Sequence, residues 1–304
     1  MTRALVLGTL AVVGALSAAV AAVQQPTDKP KLMEVEKLRD NLFVLRGGGG
    51  NTGVFITSTG VVVVDSKNPG WGQPLLDKIK ELTANPVTHL INTHTHFDHV
   101  SGNVEFPATV EVVAHENTAA LMKEMRTVTG FPPQTGNIFT ENKGRGLPKR
   151  TFKDTLSIGK GPDQVDLHYF GRGHTSGDAW VVFPSLRVAH AGDIFPGKNI
   201  PILDANNGGS GLAIGDTLGK AAAGLTNVDA IITGHSTQMT MADLREYAAF
   251  NRDFANAVRE GKKAGRSIDE IAKGWTIPPA YRGYSPPQAA RLLVNVEIVY
   301  NEIK

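Results

Sequence analysis

His94, His96, Asp98 and His99 fall within six residues of one another, in the stretch "INTHTHFDHVSGN" (residues 91–103). Imidazole nitrogen and carboxylate oxygen are the usual ligands of zinc and related cations. Residues two apart in an extended segment project to the same side, so His94 and His96 can share one ion. A turn after Phe97 would let Asp98 and His99 face a second ion. A two-metal centre needs more ligands at other strand ends, and the sequence offers three: His174 in "FGRGHTSGD", Asp193 in "AHAGD" and His235 in "ITGHS". Each follows an apolar run. Gly173 and Gly234 immediately precede the two His, where a missing side chain lets backbone approach a crowded centre.

Strands must carry these groups. "NLFVLRG", "TGVFITS" and "GVVVVDS" are β-rich runs between Gly and Asn turn signals. Val61–Val64 is β-branched throughout and ends at Asp65, a buried strand with a carboxylate at its C-terminal edge. "GQPLLDKIKELTA" has Leu75, Leu76, Ile79 and Leu82 at helical spacing, and "VTHLIN" is the strand that delivers His94. "TVEVVAHENTAALMKEM" repeats strand-then-helix. Residues 126–150, rich in Gly, Pro, Thr, Asn and basic side chains, read as a long loop of the kind that often serves function. "TFKDTLSI", "QVDLHYFG", "DAWVVFP" and "LRVAHAG" form a second set of strands. "DTLGKAAAGL", "MADLREYAAFNRDFANAVREG" and "SPPQAARLLVNVEIVYNEI" read as helices, with strand "VDAIITG" among them. The pattern predicts one α/β domain over residues 32–304, with two sheets and outer helices.

Composition narrows the classes. Hydrophobic content of 41% and charged content of 20% in 304 residues describe a globular chain. A net charge of +2 without long like-charged runs argues against a nucleic-acid partner. The absence of cysteine removes thiolate ligands, thiol nucleophiles and disulfides. The N-terminus, with Arg3, an Ala/Val/Leu-rich stretch and small residues at Ala19–Ala22, has the order of a cleavable secretory signal. The expectation is a signal peptide over residues 1–23, a mature start between Ala21 and Gln25, and a periplasmic or secreted protein without a stable membrane anchor.

The ordered set Asp65, His94/His96/Asp98/His99, His174, Asp193 and His235 resembles the metallo-β-lactamase superfamily. Its pattern is a strand ending in Asp, then HxHxDH, a lone His in a GHT-type turn, Asp or Cys, and a late GH. Five motifs in order are far more specific than any one. The resemblance implies an αββα sandwich of two mixed sheets flanked by helices, with the site along one edge. It implies that His94, His96 and His174 hold one Zn2+, that Asp98, His99 and His235 hold another, and that Asp193 bridges them. Asp65 would support the site from behind. The implied activity is a dinuclear zinc hydrolase in which a hydroxide between the ions attacks an ester, thioester, lactone or amide-type bond of a small molecule, Asp98 orienting it. The runner-up activity is β-lactam hydrolysis, and the non-enzymatic alternative is an exported metal-binding protein. Class B1 β-lactamases place Cys where Asp193 stands, and an oxygen bridge is harder than a thiolate, so Fe or Mn could enter more easily. The layout nonetheless looks closer to that class than to glyoxalase II, whose pattern would have His at the Asp178 position.

Other residues carry weaker signals. His89, His168 and His190 lie inside strand-like runs and read as structural, and His115 reads as a helix cap or surface residue. Gly47–Gly50 is followed by no GK[ST], so it reads as a turn near the site rather than a phosphate cradle. Asp178 and Thr175 flank His174, as turn or supporting residues. The resemblance to the β-lactamase relatives implies substrate contacts from Lys198, for a substrate carboxylate, and from Asn206, and Trp71 and Phe97 read as pocket walls.

Overall fold

Val61–Val64 illustrates how the layers form. Successive side chains of a strand point to opposite faces. Val62 and Val64 enter one apolar cluster and Val61 and Val63 another, so this strand is buried on both sides. The computed structural model describes residues 31–133 and 135–304; the expected signal segment over residues 1–23 and its cleavage point lie outside them. Lys31–Lys304 packs as one unit.

The first sheet begins as an antiparallel meander of β1 (Glu34–Arg39), β2 (Leu42–Arg46), β3 (Thr52–Ile56) and β4 (Val61–Val64). The crossover helix α1 (Gly72–Leu82) returns the chain to β5 (Val87–Asn92), parallel to β4. After the short helix α2 (Phe97–Val100), β6 (Glu111–His115) and β7 (Arg150–Phe152) extend the parallel half, with α3 (Glu116–Glu124) and α4 (Ile138–Glu141) between them. Strand order is β1 through β7. The second sheet contains β8 (Thr155–Ile158), β9 (Val165–Tyr169), β10 (Ala179–Phe183), β11 (Val188–His190) and β12 (Ala230–Ile232) in the order β12-β11-β10-β9-β8. Only β11 and β12 are parallel, joined through α5 (Ile214–Gly224). α6 (Met241–Lys263), α7 (Ile268–Gly274) and α8 (Ala289–Glu302) complete the chain.

Three clusters build the expected αββα sandwich. Phe55, Val62, Val64 and Ile91 of the first sheet meet Leu167, Val181, Phe183 and Ile232 of the second between the sheets. Leu75, Leu76 and Ile79 of α1 cover the outer face of the first sheet through Leu45, Val54, Val61 and Leu90. Trp180, Val182 and Ile231 on the outer face of the second sheet pack with Leu218 of α5, Tyr247 and Phe254 of α6, and Val296 of α8. None of the helices among the described residues is long and apolar enough to cross a membrane.

Two sequence expectations change. "TFKDTLSI" is two strands: β7 pairs with β6 in the first sheet and β8 with β9 in the second. Lys153 and Asp154 between them are exposed, which is where a chain leaving one sheet for the other can turn without burying charge. Residues 126–150 contain α4, capped by Asn137, whose side chain accepts from the N–H groups of Phe139 and Thr140; Phe139 anchors it against Val100, Val104 and Met122.

Candidate metal centre

Seven of the sequence-selected side chains converge at the edge where both sheets end. β5 delivers His94 and His96, α2 carries Asp98 and His99, the turn after β9 carries His174, and the turns after β11 and β12 carry Asp193 and His235. One ligating atom each from His94, His96, His174 and Asp193 lies within 4.8 Å of the others, and the same holds for Asp98, His99 and His235. Asp193 sits between the two groups. Its Oδ1 is 3.2 Å from His99 Nε2, its Oδ2 is 3.2 Å from His235 Nε2, and Oδ2 is 3.9 and 4.0 Å from Nε2 of His174 and His94.

Partners behind the imidazoles fix which nitrogen faces inward. A carboxylate or carbonyl oxygen only accepts, so the ring nitrogen against it carries the proton. His99 Nδ1–H donates to Asp65 Oδ2 at 2.7 Å, His96 Nε2–H to Asp204 Oδ2 at 2.8 Å, and His174 Nδ1–H to the Ile202 carbonyl at 2.5 Å. Thr93 Oγ1 donates to Asp65 Oδ2 at 2.7 Å and lies 3.0 Å from His94 Nδ1, so it accepts that proton. His94 and His174 therefore present Nε2 lone pairs to the cluster, His96 presents Nδ1, and His99 turns its Nε2 inward. Such outer hydrogen bonds are how metal-binding His residues are oriented. Asp65, fully buried with φ of 64°, also accepts from Thr93 N–H at 2.8 Å, as the expected supporting carboxylate.

The electrostatics divide the cluster in two. Burial and the neighbouring imidazoles of His99 and His96 hold His94 well below its ordinary pKa; burial and His96 bring His174 down to about 3. Both are neutral at pH 7, with free lone pairs. Burial also acts downward on His99 and His235, but Asp193 and Asp98 outweigh it, raising His99 well above its ordinary value and His235 to about 9. Burial pushes Asp193 and Asp98 up, yet His99 and His235 hold both below the usual carboxylate range. Protons on His99 and His235 thus supply the positive charge that the carboxylates demand.

A cation fits this arrangement. His94 Nε2 is buried and lacks a hydrogen-bond partner among the described residues, and Asp193 Oδ1, 3.2 Å from His99 Nε2, makes no well-formed hydrogen bond, although such atoms are normally paired. Both point into the cluster, and the donor set of imidazole nitrogen and carboxylate oxygen suits zinc, manganese or iron. Access is from one side: His235 is 40% exposed and Asp98 18%, whereas the other five are nearly sealed.

Two glycines admit the backbone to this space. A Cβ on Gly50 would lie 2.1 Å from the His99 ring, and one on Gly234 would lie 1.8 Å from Asp193 Oδ1. Gly47–Gly50 is therefore a turn pressed against the cluster, with Gly50 N–H donating to the Asp98 carbonyl. Gly173 differs: its missing side chain makes room for Ile194 and Ile214, not for a ligand.

The selected substrate contacts fare unevenly. Lys198 is a correction, because its ammonium is bound by Asp243 at 3.0 Å and Glu246 at 3.1 Å and is not offered to the cluster. Asn206 is a second correction. It is exposed, its amide donates to the Thr127 carbonyl, and it ties two loops together. Trp71 packs over Gly48, where a Cβ would meet its ring at 2.2 Å, so it supports the glycine turn. Phe97 lines a cavity of about 600 Å³. Asp178 accepts from Thr175 N–H and Oγ1 and braces the turn after His174; burial raises it to about 7. His190 donates to the Asn51 carbonyl and accepts from Gly192 N–H, and His115 caps α3 by accepting from Asn117 N–H.

Three important side chains carried no readable signal toward this site. Asp204 holds His96, Thr129 and Asn207 together; "DANNG" marks a turn but does not reveal those partners. Asn295 of α8 binds the Pro201 carbonyl and Leu203 N–H, flanking the Ile202 carbonyl that orients His174. Lys67, buried and brought down to about 7 by burial, donates to the carbonyls of Leu45 and Gly50 beneath the glycine turn.

The chain is similar to known proteins in sequence and fold. Residues 45–248 match the profile of the metallo-beta-lactamase superfamily. The chain is 29% identical over 175 residues to the metallo-beta-lactamase type 2 of Elizabethkingia meningoseptica, covering 53% of this chain and 62% of that protein. It is 28% identical over 164 residues to a hydroxyacylglutathione hydrolase of Trichodesmium erythraeum, covering 54% and 51%. It thus spans less than two thirds of the length of either relative. The structure of a metallo-beta-lactamase from Pontibacter korlensis superimposes with a TM-score of 0.59 over 73% of this chain and 99% of that one; at 19% identity the likeness speaks for the fold. With strands β3 to β12 inside the matched span and the ordered His and Asp residues gathered at one sheet edge, this chain belongs to the metallo-beta-lactamase superfamily.

Proposed function

We infer that the chain is a dinuclear zinc hydrolase that cleaves an ester, thioester, lactone or amide-type bond of a small molecule. His94, His96 and His174 would hold one ion and Asp98, His99 and His235 the other, with Asp193 shared. The observation that carries this reading is the pair of buried atoms His94 Nε2 and Asp193 Oδ1, neither in a well-formed hydrogen bond, facing imidazoles whose other nitrogens are already engaged. When bound, such ions polarise a carbonyl oxygen and acidify water. The chain's own residues do the rest. Asp98, ionised and partly exposed, accepts a hydrogen bond from water at the open side and aims its lone pair. Asp65 and Asp204 keep the imidazoles from turning as charge changes beside them. The buried walls at His94, His96 and His174 exclude bulk solvent.

The carboxylate at Asp193, in place of a thiolate, also suits Mn or Fe. β-Lactam hydrolysis is the second reading, supported by the name of the Elizabethkingia relative and weakened by the engagement of Lys198 with two acids. Elemental analysis after zinc loading, followed by a panel of lactam, lactone, thioester and phosphodiester substrates, tests both. Trace metal only would refute the dinuclear assignment; two ions bound with no turnover would leave a metal-binding protein.

A further inference from the structure

A cavity of about 600 Å³ is lined on one side by Phe97, the residue between His96 and Asp98, and by Asn68 and Ser101, although no candidate ligand lines it directly. Its opposite wall is apolar: Met125, Val128, Phe131 and Ile138, from the segment between α3 and α4. That wall is pinned from two sides. Thr129 N–H and Oγ1 donate to Asp204 Oδ1 at 3.0 and 2.8 Å, and the other oxygen of that carboxylate holds His96. From α8, Arg291 donates to the Thr129 carbonyl at 3.0 Å and lies 4.9 Å over the Phe131 ring. A preformed apolar hollow of this size beside a polar reaction centre is the usual form of a small-molecule site. Among its described lining residues Glu141 alone ionises, and it is exposed. An anionic group therefore finds no cationic side chain among the described lining residues, and an uncharged one meets neutral polar side chains only at Asn68, Ser101 and Thr135.

Resting on the hydrolase reading above, we propose that this cavity takes an uncharged aliphatic or aryl arm of the substrate while the scissile bond lies at the open side beside Asp98 and His235. The substrates are hydrophobic esters, thioesters or lactones rather than small, wholly polar ones. Burial of each methylene in such a hollow raises kcat/KM about threefold to fourfold.

The test has two arms. Zinc-loaded protein is assayed on p-nitrophenyl acetate, butyrate, hexanoate and octanoate, and kcat/KM should climb with each added methylene until the cavity is full. Ile138→Trp, which fills the hollow, and Val128→Asp, which makes it polar, should each flatten the climb. In the second arm, metal-free protein is titrated with 1-octanol and 1-butanol while backbone amide shifts are followed. Shifts at Met125–Ile138 should saturate with octanol and not with butanol at the same concentration. A flat ester series in a protein that hydrolyses the acetate overturns the proposal. If no ester is cleaved, the esterase form of the hydrolase reading falls instead, and the octanol shifts alone decide the cavity: their absence from Met125–Ile138 overturns it.

Discussion

Asp204→Asn separates a ligand from its support without touching the ligand. Asp204 Oδ1 accepts from Thr129 N–H and Oγ1, and Oδ2 accepts from His96 Nε2–H at 2.8 Å and Asn207 Nδ2 at 2.6 Å. Both oxygens face donors, so the NH2 of an isosteric Asn opposes two of them in either orientation. Burial acts to raise the Asp204 carboxyl, but His96 and the surrounding donors hold it well below its ordinary range, so the wild-type bonds are charge-assisted. Losing one such bond costs about 1.5–3 kcal/mol. If that loss falls on the orientation of His96, zinc affinity at the three-His position drops about 10- to 100-fold, as supporting partners of metal-bound His commonly give. The Asp98–His99–His235 position should keep its affinity. Competition against a chelator of known affinity resolves the two steps, and thermal melting of the metal-free variant checks the fold. Unchanged affinity at both positions would refute the reasoning. An equal fall at both would mean general loosening instead of a lost support.

Three further outcomes follow from the same geometry. Zinc uptake at the second position should tighten with pH. His99 and His235 carry protons below their raised pKa values, the latter about 9, and an ion must displace them. Each displaced proton gives tenfold per pH unit below its pKa, damped at His235 because it is 40% exposed. Between pH 6 and 8 the gain should be about 10- to 100-fold per unit, with proton release seen by calorimetry in two buffers. The first position, where His94 and His174 are already neutral, should show the smaller slope, and equal slopes would contradict the charge division. Asp193→Asn should leave one tightly bound ion in place of two and lower kcat about 100-fold or more; near-wild-type metal content and rate would make Asp193 a turn residue. Asn295→Leu, which removes the bonds to the Pro201 carbonyl and Leu203 N–H, should lower stability by about 1–3 kcal/mol and weaken zinc binding at the three-His position. A lower Tm with unchanged zinc affinity would reduce Asn295 to a purely structural role.

What the sequence disclosed depended on how local the signal was. Val61–Val64 announces a strand because a strand buried on both faces is apolar throughout, "VTHLIN" is a short β-rich run beside it, and both lie where expected. His94, His96, Asp98 and His99 were legible because one strand end and one turn of helix place them, and His174, Asp193 and His235 because each ends an apolar run. The capping box of α7, Ser267 with Glu270, follows the same local logic. The two misplaced contacts mark the opposite limit. Lys198 and Asn206 lie in a stretch without periodicity, where partners far along the chain, Asp243 and Glu246 for Lys198 and the Thr127 carbonyl for Asn206, decide what a side chain faces. Asp204 is more telling. Its donors come from residues 96, 129 and 207, and the loop that carries it is held by Asn295 near the C-terminus. Ligand identity is thus written in short motifs, whereas the orientation of each ligand is fixed by groups whose proximity exists only once both sheets and α8 have packed. Mutations in α8, beyond the span that matches the superfamily profile, should therefore act on metal affinity as directly as changes beside the ligands themselves.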